Sequence, residues 1–234
     1  MLIFDVDGVL VDVRGSFHRS TLETVRFFTG KRVRAAEIQQ WKLKGGFNDD
    51  WKLTTHWIRA LGGNVSYETV KRRFMQFYWG ENEDGNVLRE KWLVSVKQLR
   101  AWKQRTELAL FTGRTRRELQ FTLKRVGADG LFGRVVTMDD VARLKPHPDG
   151  LLCILDGRDP RSALYVGDNV DDAKAAARAR VPFIGVLPRG ESRRMKRAAL
   201  TDEGALRVLH SATELDSLLK APASARRRAH RRNS

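Results

Sequence analysis

Five short apolar runs recur along the chain and constrain its fold more than any other feature. They are Leu2–Val6, Leu108–Phe111, Val135–Thr137, Leu164–Val166 and Phe183–Leu187. Each run is too short for a buried helix, and helical patterns lie between most of them. Strands that alternate with helices are typical of a parallel sheet covered on both faces. The sequence therefore predicts an α/β fold with a Rossmann-like parallel sheet core.

Two of the helical patterns can be delimited. Arg116–Val126 begins after Thr115, and Glu118 three residues further on completes a capping-box signature. Asp171–Arg180 is rich in alanine, the residue with the strongest helix propensity. Both patterns lie between predicted strands, which supports the alternation.

The alternation stops between Arg14 and about Arg89, where the pattern indicates several helices and no convincing strand. Ser66 can cap a helix over Tyr67–Trp79, and Gly30 can end another. We therefore expect an inserted α-helical cap domain over residues 14–89. Residues 1–13 and 90–220 would form the core.

The chain is strongly basic, with 44 Lys and Arg against 28 Asp and Glu, and its net charge of +16 favours anionic partners. The segment from Lys220 to Ser234 holds six of the basic residues and no acidic one. Because residues 221–234 have almost nothing to bury, they are predicted to be a disordered basic tail. Such a tail can make weak contacts with nucleic acid or acidic surfaces.

No apolar run approaches the roughly 20 residues that cross a bilayer, and the N-terminus lacks the features of a signal peptide. The single cysteine, Cys153, cannot form an intramolecular disulfide, which fits a reducing compartment. We expect a cytoplasmic protein without a membrane segment. The first predicted strand begins at Leu2, so either this strand is short or the natural start lies upstream.

Two carboxylates, Asp5 and Asp7, follow the first apolar run. Residues two apart on a strand share a face, so both should point into the crevice where open α/β sheets bind ligands. Gly8 then permits a sharp turn. An isolated pair of this kind is more often two solvated turn residues.

Polar residues of matching chemistry follow the other strands. Thr112 and Gly113 follow the second run, Lys145 the third, and Asp168 and Asp172 the fourth. Each has an ordinary explanation by itself: a residue near a helix cap, a solvated loop lysine, a cap carboxylate. Together they place a nucleophile, a hydroxyl, a cation and metal ligands at one edge of the sheet.

These segments resemble, in order, the four motifs of the haloacid dehalogenase superfamily. The matching residues are Asp5–Val9, Thr112-Gly113, Lys145-Pro146 and Gly167–Asp172. The resemblance spans about residues 2–190. It is strongest to the phosphoglycolate phosphatase-like subfamily, which carries a small helical cap between its first two motifs.

The resemblance implies a role for each residue. Asp5 would be the nucleophile that forms an aspartyl-phosphate, and Asp7 the general acid and then the base. The phosphoryl oxygens would be held by Thr112, Gly113 and Lys145.

The same resemblance implies a magnesium site. The ion would be held by the Asp5 carboxylate, the Asp7 backbone carbonyl and Asp168, with Asp172 one step further out. Mg²⁺ suits such an oxygen-only set, and it would offset the charge of the crowded carboxylates.

Within the insertion, the segment Lys42–Trp51 combines a flexible glycine pair with cations, amides and aromatics. We expect it to select the substrate, through the residues Lys44, Gly45, Gly46 and Asn48. The alternative is a helix–turn–helix junction, with Asn48 or Asp49 as an N-cap and Trp51 packed in the cap core.

The sequence thus favours a Mg²⁺-dependent phosphatase of a small phosphorylated metabolite. Asp7 argues against a dehalogenase, which uses neither a second acid nor a metal. A phosphomutase or a nucleotide phosphatase of the same fold stays open. A basic nucleic-acid-binding protein on this scaffold is the alternative from another class, but it would not need Asp5, Asp7, Lys145 and Asp168 together.

Overall fold

A six-stranded parallel sheet forms the centre of the computed structural model, which describes residues 1–47, 49–187 and 193–220. The strands are β1 (Leu2–Phe4), β2 (Val11–Asp12), β3 (Lys91–Trp92), β4 (Leu108–Phe111), β5 (Arg134–Val136), β6 (Leu164–Gly167), β7 (Phe183–Val186) and β8 (Arg207–Leu209). The large sheet has the order β5-β4-β1-β6-β7-β8, and every pair in it is parallel. Strands β2 and β3 form a separate antiparallel pair. The predicted α/β parallel-sheet fold is confirmed.

Helices cover both faces of this sheet. They are α1 (Phe17–Thr29), α2 (Ala35–Leu43), α3 (Asp50–Ala60), α4 (Tyr67–Trp79), α5 (Val96–Lys103), α6 (Arg116–Val126), α7 (Asp149–Leu155), α8 (Val170–Ala179), α9 (Arg193–Asp202) and α10 (Leu215–Lys220). Helices α4 and α6 have the predicted bounds, and their predicted caps, Ser66 and Thr115, accept the expected backbone hydrogen bonds. Capping chemistry therefore located these helices from the sequence alone.

The middle strand β1 explains why the core has two layers. Leu2 pairs with Leu108 on one side and with Leu164 on the other. Because side chains alternate along a strand, Leu2 and Phe4 pack into one buried cluster and Ile3 into the other. Both layers are apolar, as the faces of a parallel sheet must be when helices cover them.

Helices α1–α4, which we call the helical insertion, lie between β2 and β3. They enclose a small apolar cluster of their own, formed by Val25, Ile38, Leu53, Trp57, Ile58 and Val70. Trp51 does not pack in this cluster. It joins Phe17, Phe74 and Tyr78 in the larger cluster that extends to the sheet, so the insertion and the core share apolar packing.

Strand β8 is absent from the five predicted strands. It pairs with β7 at the edge of the sheet, where Arg207 is exposed and only Leu209 is buried. An edge strand needs few apolar residues, so the sequence offers no continuous run to mark it.

The predicted basic tail, residues 221–234, lies outside the described residues. Among the described helices, none is long and apolar enough to span a bilayer.

Candidate active site

The carboxyl ends of three strands bring the predicted charged residues together. Asp5 directly follows β1, Lys145 lies in the loop after β5, and Asp168 and Asp172 follow β6. Lys145 Nζ lies 2.9 Å from Asp5 Oδ1 and 2.8 Å from Asp172 Oδ1. Carboxylate oxygens of Asp5, Asp168 and Asp172 lie within 4.8 Å of one another. The predicted convergence at one edge of the sheet is present.

Two lysines, Lys145 and Lys196, face the three carboxylates of this cluster, so the carboxylates outnumber the cations. Burial raises the pKa of Asp5 well above its ordinary range; Lys145 opposes this, and the neighbouring carboxylates reinforce it. Burial also raises the pKa of Asp168, although Lys196 counteracts it. Burial alone would lower the pKa of Lys145, but Asp172 and Asp5 raise it. The arrangement therefore favours a further positive charge.

The donor set fits a hard divalent cation, because all its ligand atoms are carboxylate oxygens. Asp172 is already engaged: Oδ2 accepts hydrogen bonds from the Asp168 and Asn169 amides at 3.1 and 3.0 Å, and Oδ1 from the Tyr165 hydroxyl at 2.7 Å. Asp172 is thus suited to orienting the loop and Lys145. Asp5 and Asp168 are better suited to direct ligation.

Lys196 of α9 also belongs to this cluster, although the sequence analysis did not select it. Its Nζ lies 2.7 Å from Asp168 Oδ2. The lysine comes after the last recognisable motif, so no local pattern marks it. Its position shows that the Asp168 carboxylate attracts a cation.

Gly8 makes the close approach of two loops possible. It has a φ of +77°, and a Cβ built on it would lie 2.3 Å from Asp168 Oδ2. Its amide donates to the Val11 carbonyl at 2.8 Å, which closes the turn after Asp7. The predicted sharp turn is confirmed, and any side chain there would push into Asp168.

Asp7 lines the same cavity as Asp5 and contacts a residue that the sequence analysis missed. Arg114 Nε donates to Asp7 Oδ1 at 2.8 Å. Arg114 is only 1% exposed, a rare state for arginine unless it is paired. Its place directly after Thr112-Gly113 was the available signal.

The two predicted phosphate-binding residues of this loop differ in position. Gly113 lines the cavity. Thr112 is 1% exposed, and its hydroxyl accepts a hydrogen bond from the Arg114 amide at 3.2 Å. The Thr112 side chain therefore stabilises the turn that presents Gly113.

The cavity has a volume of about 1040 Å³ and extends from the carboxylates to the helical insertion. The insertion contributes Lys42, Asp50 and Trp51 to its wall. Lys42 Nζ lies 3.0 Å from Asp50 Oδ1, in a pair that is 13% and 10% exposed. Trp51 Nε1 is buried and has no hydrogen-bond partner among the described residues. This wall thus holds a cation paired with a carboxylate and, behind its surface, a buried donor without a partner among the described residues.

The predicted selectivity residues lie elsewhere. Lys44 is exposed, with its Nζ 4.0 Å from the centre of the Trp41 ring. Neither it nor Gly45 nor Gly46 lines the cavity, and Asn48 lies outside the described residues. The Gly46 amide donates to both carboxylate oxygens of Asp171 at 3.0 Å. The Gly46 amide therefore connects the insertion to α8 through Asp171.

The alternative interpretation of this segment describes its geometry better. Asp49 is the N-cap of α3, and its carboxylate accepts from the amides of Trp51 and Lys52 at 2.8 and 3.0 Å. The segment is a helix junction that places Lys42, in the last turn of α2, at the cavity.

Charged groups of both signs line the rest of the cavity. The cations Arg14, Lys91 and Arg193 lie there together with the carboxylates of Asp12, Asp49 and Glu118, and Arg14 is paired with Asp12 at 2.6 Å. His18 also lines the cavity, and burial together with Lys42 and Lys196 lowers its pKa to about 3. His18 is therefore neutral at pH 7 and adds no charge to this space.

Comparison with known proteins gives a consistent result. The family model of haloacid dehalogenase-like hydrolases matches residues 2–186. The chain is 31% identical over 195 residues to an imidazoleglycerol-phosphate dehydratase of Phytophthora nicotianae; the match covers 80% of this chain and 43% of that protein. The chain thus spans less than half the length of this relative.

Two bacterial relatives match over most of their own length. A phosphoglycolate phosphatase of Haemophilus influenzae is 31% identical over 191 residues, which cover 78% of this chain and 83% of that protein. The pyrophosphatase PpaX of Bacillus anthracis is 26% identical, and the match covers 73% of this chain and 75% of that protein.

Solved structures share the fold. A protein titled as a predicted phosphoglycolate phosphatase from Haemophilus somnus superimposes with a TM-score of 0.75 at 21% identity and covers 94% of this chain and 97% of its own. A subfamily IA hydrolase from Geobacter sulfurreducens gives a TM-score of 0.61 at 22% identity, with coverage of 93% and 97%.

Proposed function

Because this chain belongs to the haloacid dehalogenase-like hydrolases and is a phosphatase of the phosphoglycolate phosphatase-like kind, we propose that it hydrolyses a small phosphomonoester with Mg²⁺ through an aspartyl-phosphate. The observation that carries the proposal is the grouping of Asp5, Asp168 and Asp172 around Lys145. A carboxylate nucleophile, a cation and a metal-ligand set are then adjacent.

In the first step, an Asp5 oxygen attacks phosphorus and the bond to the ester oxygen breaks. Asp7 gives a proton to the departing oxygen. The Lys145 ammonium and the Gly113 amide stabilise the charge on the phosphoryl oxygens, and they are already in place before the reaction.

In the second step, water attacks the phosphorus of the aspartyl-phosphate while Asp7 takes a proton from that water. The bond to Asp5 breaks, and inorganic phosphate leaves. Mg²⁺ held by Asp5 and Asp168 would supply further positive charge for the phosphoryl group. Asp5 and Asp7 return to their starting states.

The walls of the cavity support a small anionic substrate. Its volume of about 1040 Å³ accommodates a metabolite. The cations Lys42 and Arg193 face the space beyond the carboxylates, where a carboxylate such as that of phosphoglycolate could bind. In this proposal residues 14–89 act as a cap on the core formed by 1–13 and 90–220, and closure of the cap keeps water away from the reaction.

Three other enzymatic activities would use the same residues. A pyrophosphatase, as the Bacillus relative is named, or a nucleotide phosphatase would accept a phosphoanhydride or a larger leaving group. A phosphomutase would return the phosphoryl group to another hydroxyl of the substrate. Measuring free phosphate from a panel of phosphoglycolate, pyrophosphate, nucleotides, sugar phosphates and imidazole-bearing phosphates separates these activities.

The mechanism is tested by hydrolysis of an aryl phosphate. We expect turnover with Mg²⁺, none in excess chelator, and a loss of at least about 10³-fold for Asp5→Asn. Asp159→Asn is the matched control, because Asp159 is an exposed aspartate whose side chain pairs with Arg161. Undiminished turnover of the Asp5→Asn enzyme would exclude the aspartyl-phosphate route.

A further inference from the structure

Arg114 forms a buried ion network beside the cavity. Its side chain is fully buried, and its Nη2 lies 2.7 Å from the Asp7 Oδ1 that also accepts from Nε. On its other side, Nη2 and Nη1 donate to Glu90 Oε1 and Oε2 at 2.8 and 3.2 Å. The guanidinium is therefore held between a carboxylate of the cavity and a buried carboxylate behind it.

Glu90 is itself fixed by several donors. The Thr122 hydroxyl donates to Oε2 at 2.8 Å, and the hydroxyls of Tyr78 and Ser16 donate to Oε1 at 3.1 and 3.3 Å. Burial alone would raise the pKa of Glu90, but Arg114 and the Thr122 and Tyr78 hydroxyls hold it below its ordinary value. Glu90 is thus an ionised anchor with little freedom to move.

The geometry of a guanidinium converts this anchor into an orienting device. The group is planar and its donors point in fixed directions, so binding to Glu90 also fixes the direction of Arg114 Nε toward Asp7. The Asp7 side chain is 27% exposed. Its Oδ2 accepts no hydrogen bond from any residue in the described part of the chain.

We propose that Arg114, anchored by Glu90, is a positioning residue for Asp7; this inference rests on the proposed function. Arg114 clamps Oδ1 and thereby directs Oδ2 toward the reacting oxygen. A buried arginine needs a paired anion, which Glu90 already supplies. For stability alone, the Arg114–Glu90 pair would not need the second contact of Arg114, which is made to Asp7 in the cavity.

Glu90 also contacts both crossings, the two segments through which the chain passes from the core into the helical insertion and back. Ser16 lies directly before α1, Tyr78 lies in the last turn of α4, and Glu90 lies directly before β3. The crossings therefore meet at the anchor that orients Asp7. Correct orientation of the acid depends on the attachment of the insertion.

The test compares ester substrates that need acid assistance to different degrees. A poor leaving group, such as an alkoxide, requires a proton from Asp7, whereas a nitrophenolate departs without one. Arg114→Lys keeps the charge but loses the planar fork. We expect its kcat/KM to fall about 100-fold for an alkyl phosphate and less than threefold for a nitrophenyl phosphate. Glu90→Gln should give the same pattern, with a larger fall of kcat/KM for the alkyl phosphate than for the nitrophenyl phosphate.

Arg125→Lys is the matched control. Arg125 donates to the carbonyls of Val87 and Glu90 at 3.0 and 2.9 Å, so it holds the same crossing without reaching Asp7. We expect this variant to lose thermal stability while the ratio between the two substrates stays constant. Circular dichroism establishes that each variant is folded, and Glu90→Gln carries the test if Arg114→Lys does not fold.

An equal fall for both esters in Arg114→Lys, or no fall at all, would overturn the positioning role and leave a structural ion pair. That result is distinct from failure of the proposed function. If the proposed function fails, the wild-type protein itself hydrolyses neither ester in the presence of Mg²⁺.

Discussion

The two walls of the cavity are built on different principles. On the sheet side, Asp5 lines the cavity and is held from behind by Lys145, which also contacts Asp172; the two contacts are 2.9 and 2.8 Å long, and each residue follows a strand of fixed register. On the insertion side, Lys42 pairs with one residue of its own segment, and Trp51 Nε1 has no partner among the described residues. Groups with fixed partners are ready to stabilise a transition state, whereas Lys42 can pair with a ligand by sharing or leaving Asp50.

This difference separates turnover from selection. Groups on the sheet wall should affect kcat, because their prearranged charges act on the transition state. Groups on the insertion wall should affect KM, because they contact a part of the substrate that does not react. Of the four substitutions below, ordered by expected free-energy change, those at Lys145, Lys42 and Trp51 test that division, and the one at Glu118 tests a sheet-side group that lacks a fixed partner among the described residues.

Lys145→Met should have the largest effect. It leaves Asp5 and Asp172 without their shared cation and removes a contact to the phosphoryl group, so we expect kcat to fall about 10³-fold, or ~4 kcal/mol. Lys145→Arg keeps the charge and should recover part of the activity. Steady-state kinetics at saturating Mg²⁺ measure both. If Lys145→Met changed mainly KM, the sheet wall would also belong to substrate selection.

Glu118 differs from the other sheet-side groups, which are held by fixed partners: its Oε1 is buried without a partner among the described residues. Burial raises the pKa of Glu118 to about 7, whereas an unfolded glutamate titrates near 4.5. The folded state therefore binds the proton more tightly, and stability falls as pH rises from about 4.5 to 7. Glu118→Gln keeps the capping contact but cannot ionise. Between pH 5 and 8 the wild-type protein should lose on the order of 2 kcal/mol relative to this variant.

Urea unfolding at both pH values measures this difference. Asp140→Asn is the control, because its contribution to stability should not change between pH 5 and 8: partial burial would raise the pKa of Asp140, but Thr137 and Arg116 hold it below its ordinary value, so it stays ionised over this range. Asp140 therefore contributes stability at high pH that is lost as pH falls through its folded pKa. A parallel pH dependence for wild type and Glu118→Gln would show that Glu118 is not protonated in the folded state.

Lys42→Gln tests the insertion wall. We expect KM for a carboxylated phosphate ester to rise about tenfold, or ~1.4 kcal/mol, with kcat little changed. KM for an aryl phosphate whose aryl group carries no charge should change less than twofold. Lys44→Gln is the matched control, since this lysine two positions further on is exposed and does not line the cavity. A larger rise in KM for Lys44→Gln than for Lys42→Gln would indicate that Lys44 selects the substrate, as predicted from the sequence.

Trp51→Phe should have the smallest effect. It removes one indole donor and keeps most of the apolar packing, so KM should rise about two- to fivefold for a substrate whose leaving group accepts a hydrogen bond. Trp57→Phe serves as control, because Trp57 is buried within the insertion and does not line the cavity. Equal KM changes in both variants would indicate a packing effect.

The sequence predicted the sheet wall better than the insertion wall for a geometric reason. Parallel strands end at one edge, so residues such as Asp5 and Asp168 converge wherever their strands are recognised. Lys42 and Lys44 differ by two positions, and α2 ends between them at Leu43. Gly45 and Gly46 mark that end in the sequence, but no local pattern shows which face of α2 meets the cavity.

The Arg114–Glu90 pair was missed for another reason. The two residues lie in segments without regular periodicity, and their contact depends on how the returning chain passes behind the second motif. A charged residue in such a loop is normally solvated. The burial of the Arg114–Glu90 pair is therefore decided by the tertiary structure. The same holds for strand β8, which has few apolar residues and pairs at the edge of the sheet.

The central place of β1 has a consequence for synthesis of the chain on the ribosome. Leu2 pairs with Leu108 and Leu164, so β1 cannot have both its neighbours until β4 and β6 have emerged. At about 5–20 residues per second, this delay is roughly ten to thirty seconds. Throughout it, the apolar segment Leu2–Phe4 has no partner strand, and the nucleophile Asp5 that follows it lacks Lys145. The growing chain is therefore most vulnerable to aggregation and chaperone capture at the segment on which the finished sheet is centred.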